Sequence, residues 1–140
     1  MDQKVVSQMQ NDLPTFGSIA PCFPVSDVGA TISWYQLKLG FWSDAFPENE
    51  PYVFAILFRD NIEIMLQRVE NYEKPDLYYR RGEGVWDAYI RTTKVKEFWE
   101  SIREHVPIVK PLRQQPYGAW EFEVRDPNGY ILVFSELIAS

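Results

Sequence analysis

A chain of 140 residues is the size of one domain and enough to bury a core. With 46% hydrophobic residues, five Trp, eight Tyr and nine Phe, disorder is confined to the ends. The formal charge of −6, without a basic block, argues against a nucleic-acid surface and is compatible with a cationic ligand. One cysteine, Cys22, excludes an intrachain disulfide and fits a reducing cytoplasm. No apolar run approaches the roughly 20 residues that span a bilayer, so no membrane partner is expected. The opening Met1-Asp2-Gln3-Lys4 lacks the apolar core of a signal peptide.

Residues 1–15 are polar and aperiodic, and predict a flexible arm before a single domain over 16–140. Ser18 to Val25 reads as a strand. Ser26-Asp27 offers an N-cap, and Val28, Ile32, Tyr35 and Leu39 fall at helical spacing before Gly40, a residue suited to the left-handed turn that ends a helix. Phe41 to Phe46, Tyr52 to Phe58 and Ile62 to Val69 predict three strands, the last two joined by an Asp60-Asn61 turn. Residues 70–84 carry charge, Pro and Gly and read as a connector, with Tyr78 and Tyr79 packed over the core.

The order then repeats. Val85 to Arg91 is a strand, Thr92-Thr93 offers a helix cap, and Val95, Phe98, Trp99 and Ile102 form one apolar stripe that stops before Pro107. Ile108 to Leu112 is a short strand. In the next one Trp120, Phe122 and Val124 alternate with Glu121, Glu123 and Arg125. Asp126-Pro127-Asn128-Gly129 makes a tight turn in which Gly129 can take positive φ. Tyr130 to Phe134 is an apolar run, as expected of a strand buried on both faces. The halves align at an offset of about 65 residues, Trp34 with Trp99 for example. The fold class is therefore α+β, with two tandem βαβββ modules over about 16–69 and 85–138.

Pro24-Val25-Ser26-Asp27-Val28, Trp34-Tyr35 and Leu39-Gly40-Phe41, followed by Tyr117-Gly118 and Asp126-Pro127-Asn128-Gly129-Tyr130, resemble the motifs of the vicinal oxygen chelate superfamily. That group holds glyoxalase I, bleomycin-resistance proteins, fosfomycin-resistance enzymes and extradiol dioxygenases. The resemblance implies curled sheets that enclose a cleft, with helices packed outside. It also implies four cleft-facing positions at which metal enzymes of the family place His, Gln or Glu. Here those positions fall at Ala20, Met65, Val85 and Val133, none of which suits a catalytic divalent ion. No cofactor is expected, and the reading leans away from an enzyme. The single histidine, His105, is expected at the end of the second helix, outside the cleft.

Strand alternation extends the cleft face to Cys22, Glu63, Met65, Gln67, Asp87, Tyr89, Glu121, Glu123, Val133 and Ser135, and leaves Phe23, Val25, Ile64, Leu66, Ala88, Ile90, Leu132 and Phe134 for the core. No Lys or Arg falls on the cleft face at this register, so its carboxylates are expected to repel one another and to have raised pKa values. Cys22 is expected to be a buried structural thiol, since no base stands near it. Of Trp42, Tyr52, Phe54, Trp86 and Trp120, one or two are expected to line a site. The first hypothesis is a non-catalytic homodimer that sequesters an amphipathic or cationic small molecule, in the manner of bleomycin-resistance proteins and thus of antibiotic resistance. A metal-dependent lyase or dioxygenase of the glyoxalase type and a protein-interaction module are the alternatives.

Overall fold

The structure, a computed structural model, describes residues 12–81 and 84–138. Its elements are β1 (Cys22–Val25), α1 (Val28–Leu39), β2 (Trp42–Phe46), β3 (Phe54–Arg59), β4 (Ile62–Arg68), α2 (Leu77–Arg81), β5 (Ala88–Arg91), α3 (Val95–Ile102), β6 (Ile108–Gln115), β7 (Ala119–Arg125) and β8 (Ile131–Leu137). The strands form two four-stranded sheets, ordered β1-β4-β3-β2 and β5-β8-β7-β6. In each, the first strand pairs parallel with the last and the rest are antiparallel. These are the tandem βαβββ modules that the sequence predicts. The sheets remain separate, and neither closes on the other within the chain.

Helix α1 forms where the apolar spacing placed it, with Val28, Ile32, Tyr35 and Leu39 buried. The Asp27 carboxylate accepts from the Ala30 N–H at 3.0 Å, and Gly40, at φ 70°, ends the helix in the left-handed region. Helix α3 departs from expectation at its start. Thr92 and Thr93 do not cap it; the preceding residue is Lys94, itself left-handed at φ 53°. The cap comes from β8: the Glu136 carboxylate accepts from the N–H groups of Lys94 (2.9 Å) and Val95 (3.2 Å). A carboxylate at a helix N-terminus satisfies two donors and complements the dipole, and local sequence did not show it.

Strand ends differ from the predicted spans for local reasons. β1 starts at Cys22, after Pro21, and β5 starts at Ala88, because the Asp87 carboxylate turns back to the Ile131 N–H (2.8 Å). β6 runs on to Gln115, carrying Pro111 and a shift of register on the outer edge of its sheet, where a missing N–H is tolerated. The connector contains the short helix α2. The arm expected over 1–15 lies outside the described residues as far as residue 11, as do the side chains of Tyr78 and Tyr79. His105 is exposed just past α3. Among the described residues no helix is long and apolar enough to cross a membrane.

One apolar core runs through both modules, from Phe23, Val25, Ile64 and Leu66 to Phe122, Val124, Leu132 and Phe134. What joins the modules is the Asp126–Tyr130 turn, which is a plug rather than a surface loop. Asp126 accepts from the Tyr35 hydroxyl at 2.6 Å and from the Asn128 and Tyr130 N–H groups. Asn128 donates to Thr31 Oγ1 at 2.9 Å. Tyr130 stacks on Phe23 with centroids 4.1 Å apart and donates to Pro24 O. Gly129, at φ 91°, supplies the positive φ that the turn requires.

Candidate functional site

The strand registers sort every side chain to one of two faces. In the first sheet Ile64 and Leu66 point to the core, so Glu63, Met65 and Gln67 point away. Register partners carry that outer face across the sheet: Cys22 beside Met65, Ile56 beside Met65, Phe54 beside Gln67, Phe58 beside Glu63. β2 then adds Trp42, Asp44 and Phe46. This face is uncovered. Trp42 is 68% exposed, Phe46 64% and Phe58 38%. This bare aromatic surface beside two carboxylates, Asp44 and Glu63, makes the face a candidate contact site.

Cys22 is exposed on this face, its Sγ 3.9 Å from Gln67 Oε1. That corrects the expectation of a buried thiol. β1 is the edge of its sheet, and the side of it that bears Cys22 has no layer above it. Trp42 and Phe54 lie on the outer face. By contrast, Tyr52 and Trp120 pack against the core, with Lys96 4.1 Å over the Trp120 ring. Trp86 lies 5.4 Å from Tyr89.

The second sheet's outer face is built differently. Tyr89, Glu121, Glu123, Val133 and Ser135 share it, as alternation required, but so do Lys110, Arg113 and Gln115 of β6. The absence of cations from this face was therefore a wrong expectation. The strand expected over Ile108 to Leu112 extends to Gln115, and the extension brings Arg113 into register beside Glu121. Glu123 Oε2 takes a hydrogen bond from Arg113 Nη2 at 2.9 Å, while its Oε1 is buried and accepts none. Asp87 is held by the Ile131 N–H and lies 3.3 Å from Lys74 Nζ.

Glu121 is the hub. One carboxylate oxygen accepts from the Tyr117 hydroxyl at 2.5 Å and the Gln115 amide at 3.2 Å; the other accepts from the Tyr89 hydroxyl, which lies 2.8 Å from Ser135 Oγ. Burial raises the Glu121 pKa, but the bonds from Tyr117, Tyr89, Ser135 and Gln115 outweigh it, and the carboxyl sits below its ordinary range. The expected raised value is thus reversed. Both tyrosines are raised, by burial first and then by bonding to this carboxylate. At neutral pH the cluster is one ionised carboxylate held by neutral donors.

The family-type metal positions do not fit an ion. Ala20 and Val85 precede their strands, and Met65 and Val133 stand beside Cys22 and Tyr89 in register. A thioether, a thiol, a phenol and a valine are a poor donor set for a catalytic divalent metal. Among the described residues no three of His, Cys, Asp and Glu gather to hold one.

The profile of the Glyoxalase/Bleomycin resistance protein/Dioxygenase superfamily matches residues 15–134. Among solved structures, the glyoxalase-related enzyme from Clostridium phytofermentans superposes with a TM-score of 0.70 at 17% identity, covering 89% of this chain and 98% of that one. TioX from Micromonospora sp. ML1 gives 0.66 at 20% identity, over 89% and 98%. The bleomycin-binding protein of Streptomyces verticillus, solved with copper(II)-bleomycin, gives 0.62 at 23% identity, over 91% and 100%. These likenesses are of fold. No relative among curated protein sequences matches the chain.

Proposed function

The chain belongs to the Glyoxalase/Bleomycin resistance protein/Dioxygenase superfamily, and within it we propose a non-catalytic binding protein that sequesters an amphipathic, cationic small molecule. The observation that carries this reading is the bare aromatic face of the first sheet, where Trp42, Phe46 and Phe58 stand exposed beside Asp44 and Glu63. Flat rings bind a flat apolar body, and a cation adds attraction to ring faces and to both carboxylates. Among the described residues no carboxylate-cation pair ties up Asp44 or Glu63.

The positive group of the ligand thus belongs over the first sheet rather than over Glu121 and Glu123, whose charges are already met by donors and by Arg113. Cys22, Met65 and Gln67 complete that wall. In a homodimer, the second sheet of another copy would supply the opposite wall: Tyr89, Glu121 and Ser135, with Glu123 and Val133 beneath and Asp87 at the margin. The poor donor set at the family's metal positions supports binding over reaction, as does Cys22, whose Sγ lies beside Gln67 Oε1 and beside no basic side chain among the described residues. The bleomycin-binding protein of Streptomyces verticillus, a solved structure of the same fold, supports this reading.

Calorimetry with two probes of one ring system, 1-pyrenemethylammonium and 1-pyrenesulfonate, tests it. The cation should bind more tightly, weaken as salt rises, and lose about three- to tenfold in affinity on Glu63→Gln or Asp44→Asn. Equal binding of the two probes, or indifference to both substitutions, would overturn the assignment.

A further inference from the structure

An edge strand offers every second N–H and C=O group to whatever can pair with it. The two sheets have four such edges, β1 and β2 in the first, β5 and β6 in the second. Three of them are guarded. β1 carries Pro24, which has no N–H to give and whose carbonyl accepts from the Tyr130 hydroxyl. β5 is four residues long, and three of the four are half-buried. β6 carries Pro111, Lys110 and Arg113, with shifts of register on both sides of Lys110. Proline, cations and bulges on an edge each discourage a further strand.

β2 has none of these devices. Its five residues contain no proline and no cation, and they pair with β3 in unbroken register. Ala45 is half-buried and the other four are exposed. On the outer face β2 presents Trp42, Asp44 and Phe46, a carboxylate between two rings. Asp44 has no ion pair among the described residues.

This row decides between occupants. If β2 paired antiparallel with β2 of a second copy, the register joining all five residues would set Asp44 against Asp44. Like charges directly opposite one another destabilise such a pair. A strand with a cation at its middle and an apolar residue two places to either side meets the row instead. Its cation lies against Asp44 and its apolar side chains against Trp42 and Phe46.

We propose that β2 is a docking edge for another protein, which adds an extended basic segment of the pattern apolar-x-Lys/Arg-x-apolar as an antiparallel strand. Backbone bonds hold the segment at the edge; Asp44 and the two rings select it. The dependence on backbone bonds separates this edge from the flat face beside it, where a small molecule stacks by its rings alone.

The acetylated and amidated peptides VTKTV and VTETV are titrated into the ¹⁵N-labelled chain. Two N-methylated forms of VTKTV accompany them, one blocked at the valines and lysine, the other at the threonines. VTKTV should shift the amides from Trp42 to Phe46 and slow hydrogen exchange at alternate ones. A paired strand turns only every second N–H toward its neighbour, so one methylated form should lose about tenfold or more in affinity and the other little. VTETV should bind about fivefold more weakly than VTKTV, and Asp44→Lys should reverse that order. No binding, equal binding of the two methylated forms, or equal binding of VTKTV and VTETV would overturn the proposal. So would the same protection of β2 in the peptide-free chain at raised concentration, which would make a second copy the occupant. The methylated pair is read on the native chain, so the outcome does not depend on how the variant folds.

Discussion

Glu121 and Asp126 show how two acidic side chains in one module come to opposite states. Both are buried, but Glu121 collects donors enough to fall below the ordinary value of 4.5, whereas burial of Asp126 outweighs its bonds from Tyr35, Tyr130 and Asn128 and raises its carboxyl. A depressed pKa means that the ionised Glu121 favours the folded state. Its contribution is present above pH 4.5 and is lost as pH falls through the lower, folded value. The stability difference between the native chain and Glu121→Gln should therefore be constant from neutral pH to about 5 and shrink below it, as followed by urea unfolding at each pH. A difference that grows on acidification would refute the assignment. Tyr35→Phe leaves Asp126 buried without its 2.6 Å donor. The expected loss is about 2 kcal/mol in the same unfolding experiment. The alternation of β7 was enough to place Glu121 and Glu123 together. The partners that set their charge state, Gln115 and Arg113, lie on a strand whose bulge and internal proline hide its period. Cys22 was misjudged for a related reason: strand periodicity gives a residue its face, but not whether anything covers that face.

At the scale of elements, local signals and long-range ones separate cleanly. Asp27 and Gly40 bound α1 by chemistry within four residues, and both were legible. Helix α3 takes its cap from Glu136, 41 and 42 residues beyond the N–H groups it accepts from, and only the sheet brings them together. Glu136→Ala should cost about 1 kcal/mol, the size of an ordinary lost cap, in thermal or denaturant unfolding. Replacing Thr93 by Ala should cost far less, since no side-chain bond of Thr93 reaches the helix start. Equal costs would mean that the carboxylate does not cap. Strand β2 carries the same lesson for the site. A strand over Phe41 to Phe46 was expected, but its pairing with β3 was needed to put Trp42, Asp44 and Phe46 on the face that bears Glu63 and Met65.

Across the whole molecule, the repeat produces two sheets of similar topology and unlike faces. The first is aromatic, with carboxylates that have no ion pair among the described residues; the second is a tightly bonded polar layer. A monomer would leave the first bare, with Trp42, Phe46 and Phe58 in water, so two copies should associate about a two-fold axis. Sedimentation at micromolar concentrations should show a dimer, and Phe46→Glu should shift it toward monomer; a native chain that is monomeric throughout would remove the second wall from the proposal. The central claim is that the aromatic face of the first sheet holds the ligand, and amide mapping of bound 1-pyrenemethylammonium reads it directly. The expected shifts fall on Cys22, Trp42, Asp44, Ile56, Phe58 and Met65, with a second set at Tyr89 and Ser135. Shifts confined to Thr92–Phe98, or none at saturating probe, would contradict it.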